Sequence, residues 1–191
     1  SFYEYQLYCK SLNASIQKFT QDTTRVLKKY TEDEVVNKIL NTYPQIKDRT
    51  KTANVFTIDP VGSTDYDDGF SVKTENGQTK ISIYIANVTL WMEGLDLWNS
   101  FSNRIATIYL PDRRRPMLPT RLSDFLCSLQ ENQLRFALVC ELTVEGKEIK
   151  NVDFFNSLIR VYKNYRYEEP DLLADSNYIE LINTVKPISR K

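Results

Sequence analysis

The sequence predicts an α+β fold, a mixed, largely antiparallel sheet flanked by helices and preceded by an N-terminal helical segment. Three observations lead there. Apolar residues recur at helical spacing near both ends of the chain, they alternate with period two through its middle, and Asn76-Gly77 separates two of the alternating runs. A chain of 191 residues is also long enough to bury a core without disulfide staples.

Taken in order, Tyr5, Cys9, Leu12, Ile16, Phe19 and Val26 follow a helical rhythm uninterrupted by Pro or Gly, which predicts one long amphipathic helix from Tyr3 to Tyr30. Thr31-Glu-Asp-Glu34 has the form of a capping box, and Val35, Val36, Ile39, Leu40 and Tyr43 supply the stripe of a second helix that Pro44 ends. The polar stretch 45–52 then marks a boundary, dividing an N-terminal helical segment, 1–44, from a second unit, 45–191. Val55–Ile58 is a short β-prone run ending in Asp59-Pro60. Phe70–Val72 and Ile81–Ile85 alternate on either side of Asn76-Gly77 and predict a hairpin. Phe136–Val144 and Val152–Val161 predict two further strands joined at Glu145-Gly146-Lys147, and Glu168–Val185 is helix-like.

Composition narrows the function classes. Lys and Arg number 25, as do Asp and Glu, so no net charge advertises a polyanionic partner and any nucleic-acid reading rests on local clusters. Cys9, Cys127 and Cys140 are widely spaced without a CxxC, which argues against a disulfide framework or zinc site and for a reducing, cytoplasmic setting. No apolar run approaches the roughly 20 residues that span a bilayer, so no membrane partner is expected. The chain has no histidine, which leaves carboxylates to do any chemistry.

Asp59, Asp65, Asp67 and Asp68 fall within ten residues, between one predicted strand and the next. Carboxylates that close repel one another unless a cation neutralises them, and hard oxygen ligands of this kind suit Mg²⁺ or Mn²⁺. Asp and Gly also favour turns for local reasons, so a solvated Asp-rich turn is an equally open reading of these residues alone. A calcium loop is excluded, because Thr64 and Tyr66 would fall at its first and third ligand positions.

Thr57-Ile-Asp-Pro followed by Asp65-x-Asp-Asp-Gly-Phe70 resembles the signature of the ribonuclease II (RNB) family of 3′-to-5′ exoribonucleases. The likeness continues in the family's order through Ile83-Tyr-Ile-Ala-Asn-Val88, Leu95-Asp96, Arg104, Tyr109-Leu-Pro111, Pro116-Met-Leu-Pro119, Leu122-Ser123, Leu126-Cys-Ser-Leu129, Arg135 and Tyr167-Glu-Glu169. The resemblance implies that Asp59, Asp65, Asp67 and Asp68 hold one or two Mg²⁺ ions (or Mn²⁺) at the scissile phosphate of a threaded single-stranded RNA. Asp67 and Asp68 are then the catalytic pair, Asp67 foremost, and nucleoside 5′-monophosphates are the product. It also implies that Tyr109 stacks on a terminal base. Arg113, Arg114 and Arg115 beside it form a cationic run that reads equally as a phosphate contact or a solvated loop. Met117-Leu-Pro119 and Leu126–Leu129 read as a wall behind the aspartates, and Cys127 lacks a base to activate it.

The sequence departs from the family's pattern in three places. These 191 residues hold no Ser-Pro-Arg-Arg-Tyr-like segment with its phosphate-supporting arginine, residues 1–44 are expected to be helical rather than one of the family's small β-barrels, and Asn87 stands where many members carry Asp. The expectation is a catalytic domain incomplete at its C-terminal side, whose partners are RNA and the remaining half of a longer enzyme or a larger assembly. Two alternatives stand beside it. One is a catalytically inactive RNA-binding or scaffolding module that retains the fold; the other takes the stripe Tyr5, Leu12, Ile16 and Phe19 as a partner-docking face.

Overall fold

In the computed structural model, residues 2–11, 21–98, 108–109, 114–115 and 117–189 are described. The N-terminal region holds α1 (Phe2–Ser11), α2 (Gln21–Lys29) and α3 (Glu32–Thr42). Of the single helix expected over Tyr3–Tyr30, α1 and α2 are present, and Leu12, Ile16 and Phe19 lie outside the described residues. The capping box forms as the sequence predicts. The Thr31 side chain accepts from the Glu34 amide at 3.3 Å, and the Glu34 carboxylate accepts from the Thr31 amide at 2.8 Å. The helix ends before Pro44.

A six-stranded sheet follows, built from β1 (Lys47–Asp48), β2 (Val55–Asp59), β3 (Asp68–Glu75), β4 (Gln78–Ala86), β7 (Leu134–Glu145) and β8 (Glu148–Arg166) in the order β1-β8-β2-β3-β4-β7. Only the pairings of β1 and β2 with β8 are parallel; the rest are antiparallel, so the sheet is mixed as expected. The β3–β4 turn is Asn76-Gly77, with φ of 52° and 79°, the left-handed pair that a two-residue hairpin needs. Strand β8 extends well beyond the predicted Val152–Val161. Its first part pairs with β7, and its last residues run on beside β2, after a bulge that sets Val55 against Val161 but Phe56 against Lys163. Because β7 also pairs with β8, strands β2, β3, β4, β7 and β8 close into a ring.

Alternation along these strands sorts side chains to the two faces of the ring. Val55, Tyr84, Ala137, Val139, Ile159 and Val161 cluster on the inner face with Leu129. On the outside, Phe136 and Leu158 pack beneath Leu27 of α2, Val35, Val36 and Ile39 of α3, and Leu90, Trp91 and Met92 of α4 (Val88–Gly94). The opposite outer face, with Phe56, Val72, Ile81 and Tyr165, is covered by α5 (Pro170–Ala174) and α6 (Ser176–Val185) through Leu172 and Leu181. Two helices thus replace the single one expected over Glu168–Val185. Asp175 divides them: its backbone is extended, and its carboxylate accepts from the amides of Asn177 and Tyr178 and from the hydroxyls of Tyr162 and Tyr165.

Asn87 follows Ala86, the last residue of β4, whose amide donates to the Asp67 carbonyl. It caps α4 by accepting from the Leu90 amide at 3.3 Å, and its amide donates to Asn156 at 2.9 Å. Helix α4 docks against α3 at Gly94, where a Cβ would stand 2.7 Å from Ile39 Cγ1 and the carbonyl accepts from Lys38 Nζ at 2.7 Å. Gly94→Ala should lower the urea midpoint, at a cost of about 1–3 kcal/mol from overpacking, without changing the slope of the transition.

Candidate functional site

Asp59 ends β2 and Asp68 opens β3, neighbouring strands, so the four aspartates lie on one rim of the ring, joined by the loop 60–67. The loop turns sharply at Gly62, with φ of 88°, and Ser63 N donates to Pro60 O at 3.2 Å. Tyr66 is then secured on both sides. Its amide donates to Ser128 Oγ at 3.0 Å, and its carbonyl accepts from Leu129 N at 2.8 Å. The Asp67 carbonyl accepts from Ala86 N at 2.8 Å, which hands the chain to the β3–β4 ladder. At Gly69 a Cβ would stand 3.2 Å from Phe56 O and 3.3 Å from Val55 Cγ1, so the absence of a side chain lets β3 approach β2 closely beside the cluster.

The carboxylates differ in setting. Asp59 is buried, and its Oδ2 has no hydrogen-bond partner. Burial pushes the Asp59 carboxyl above the usual range; a hydrogen bond from Thr57 opposes this, and the charges of Asp68, Asp67 and Asp65 add to the rise. Asp67 exposes much of its surface, yet protein atoms crowd one side. Partial desolvation, followed by the charges of Asp65 and Asp68, pushes its carboxyl up too. Asp65 and Asp68 are half-buried.

A hard divalent cation fits this donor set: four oxygen donors, mutually repelling, around a buried oxygen that lacks a partner. Among the described residues, no three such side chains already stand in positions to hold an ion. The donors are assembled on one rim, but their oxygens have not converged.

Several supporting residues carry no sequence signal of their own. Asn164 of β8 donates to Thr57 Oγ1 and to Leu129 O, both at 2.9 Å, and its Oδ1 accepts from Glu131 N at 2.7 Å, tying β2 to the wall segment. Leu126–Leu129 does form that wall, directly behind Tyr66. It follows a π-helical turn, Arg121–Leu126, that the sequence did not predict. Burial pushes the Cys127 thiol up to about 12 despite nearby Arg135, so it stays protonated and unreactive.

Tyr109 and Arg114 pair across a small antiparallel ladder, β5 (Ile108–Tyr109) with β6 (Arg114–Arg115). Their side chains and that of Arg115 lie outside the described residues, as does the whole of Arg113. No helix among the described residues is long and apolar enough to cross a membrane.

Residues 47–184 match the RNB domain family. Exoribonuclease 2 of Enterobacter sp. (strain 638) is 34% identical over 167 residues, which cover 85% of this chain and 25% of that protein. Exoribonuclease 2 of Klebsiella pneumoniae subsp. pneumoniae is 34% identical over 147 residues, covering 75% and 23%. The chain therefore spans a quarter or less of the length of these curated relatives. Among solved structures, RNase R of Mycoplasma genitalium in complex with double-stranded RNA aligns with a TM-score of 0.64 at 23% identity, over 92% of this chain and 32% of that one. Yeast Ssd1, a pseudonuclease, aligns at 0.61 and 21% identity, over 78% of this chain and 19% of that one. These two likenesses speak for the fold.

A carboxyl whose pKa is raised on folding binds its proton more tightly in the folded state. The stabilisation is present below the unfolded value of about 3.9 and is lost as pH rises through the folded value. Metal-free protein at neutral pH should therefore gain thermal stability from Asp59→Asn. The gain should shrink as pH falls through the raised folded value and be gone below about 4, where the carboxyl is neutral in both states. Thermal melts in chelator at both pH values check this, and equal shifts at the two would contradict it.

Proposed function

The chain belongs to the RNB domain family, and from that premise we propose that it hydrolyses single-stranded RNA from the 3′ end, as an exoribonuclease or part of one, releasing nucleoside 5′-monophosphates with the help of a divalent metal. The observation that carries the reading is Asp59, whose buried, partnerless oxygen sits among three further aspartates on one rim of the ring. Exoribonuclease relatives at 34% identity support it.

Asp59, Asp65, Asp67 and Asp68 would hold Mg²⁺ or Mn²⁺. Such an ion supplies charge neutralisation at the phosphate and lowers the pKa of water for in-line attack. The chain's own residues prepare that place. Asp59, fixed at the end of a buried strand, provides the immobile edge of the cluster, and Asp67, the most exposed, faces solvent from which RNA arrives. The wall from Leu126 to Leu129 keeps water from the inner side. In this reading Tyr109 stacks on a base near the 3′ end, and Arg113, Arg114 and Arg115 meet phosphate oxygens.

A second reading, an RNA-binding module without turnover, is favoured by the unconverged carboxylates and by a pseudonuclease of the same fold. One experiment separates the two. With 5′-labelled single-stranded RNA and Mg²⁺ or Mn²⁺, the first reading expects a ladder shortening stepwise from the 3′ end, with 5′-monophosphates released. Asp67→Asn should slow it on the order of a hundredfold or more. Binding that weakens with salt while the RNA stays intact under either metal would select the second reading.

A further inference from the structure

Arg135 of β7 is 1% exposed, an expensive place for a guanidinium unless its donors are met. Its Nε donates to Ser128 O at 2.8 Å, and Nη1 donates to Leu134 O at 2.7 Å and to Glu32 Oε2, the first residue of α3, at 3.2 Å. Ser128 is fully buried, and its hydroxyl is the acceptor for the Tyr66 amide at 3.0 Å. The next residue, Leu129, donates its amide to the Tyr66 carbonyl. An unbroken series of contacts therefore runs from the start of α3, through Arg135 and the wall, to both main-chain polar groups of the residue between Asp65 and Asp67. So deep a burial removes Arg135 from any direct contact with a phosphate.

We propose that Arg135, clamped by Glu32, is a positioning residue: acting through Ser128, it fixes the Tyr66 backbone and with it the placing of Asp65 and Asp67 toward a divalent cation. The inference rests on the cation reading of the aspartates. A purely fold-supporting contact could end anywhere in the core, whereas this one ends on the loop that carries the donors, where small displacements of ligands cost affinity. It also gives the N-terminal helical region a task at the site, since α3 supplies the carboxylate that compensates the buried guanidinium.

The test compares the native chain with Ser128→Ala, Arg135→Met, Arg135→Lys and a core control, Leu181→Ala on α6. Three quantities are read: Mn²⁺ affinity from the free-ion electron paramagnetic resonance signal, amide hydrogen exchange at Tyr66 and Leu129, and Tm. Ser128→Ala and Arg135→Met should weaken Mn²⁺ binding about tenfold and speed exchange at those two amides, with Arg135→Lys recovering part of the loss. Leu181→Ala should lower Tm and leave both other readings unchanged. If Arg135→Met does not fold, Ser128→Ala carries the comparison. Mn²⁺ affinity within about twofold of native in Ser128→Ala, or unaltered exchange at Tyr66, would overturn the inference while leaving the cation reading intact. A native chain that binds no Mn²⁺ would overturn both.

Discussion

Strand β8 holds three neighbours, pairing with β7 from Glu148 to Arg160 and, along its other edge, with β1 and β2 from Ser157 to Arg166. Its bulge near Val161 lets one continuous segment serve both neighbours, because the added residue turns the strand as it passes from the first partner to the second. Closure of the ring follows, and with it the position of β2. That short strand is buried along most of its length, so its last residue, Asp59, is carried into the protein rather than left on a flexible tip.

The cost of that placement is electrostatic. Asp59 loses water on burial and gains three like-charged neighbours, so folding without a cation works against the charged form. The arrangement is one that stability alone would not favour, and local destabilisation of this kind is a common mark of a site kept for chemistry or binding. The nearby polar groups are, by contrast, well satisfied: Asn164, Thr57, Ser128 and Arg135 all find partners. Along the rim the unfavourable settings described are those of Asp59 and Asp67.

Support for the rim comes from opposite ends of the chain. The loop bearing Asp65 and Asp67 leans on a wall reached more than sixty residues later, as the Tyr66–Ser128 separation of 62 shows. That wall leans in turn on Arg135, compensated by Glu32 from a separation of 103. Helix α3, which sequence periodicity set apart from the sheet, shares a core with α4, Phe136 and Leu158.

Short-range physics was legible in the sequence. The capping box at Thr31, the Asn76-Gly77 hairpin, the turn at Gly146 and the aspartate spacing all depend on residues a few positions apart, and all were open to reading from side-chain chemistry and periodicity. The division of the C-terminal helix at Asp175 was not, because it answers to two tyrosine hydroxyls on β8. Nor were the closure of the ring, the reach of β8, or the part played by Asn164. The sequence by itself determined the capped helix, the hairpin and most of the strands, and which carboxylates stand close along the chain. Only the tertiary structure decided which of those carboxylates is buried and what holds the loop between them, since burial and long-range hydrogen bonds exist only once distant segments have met.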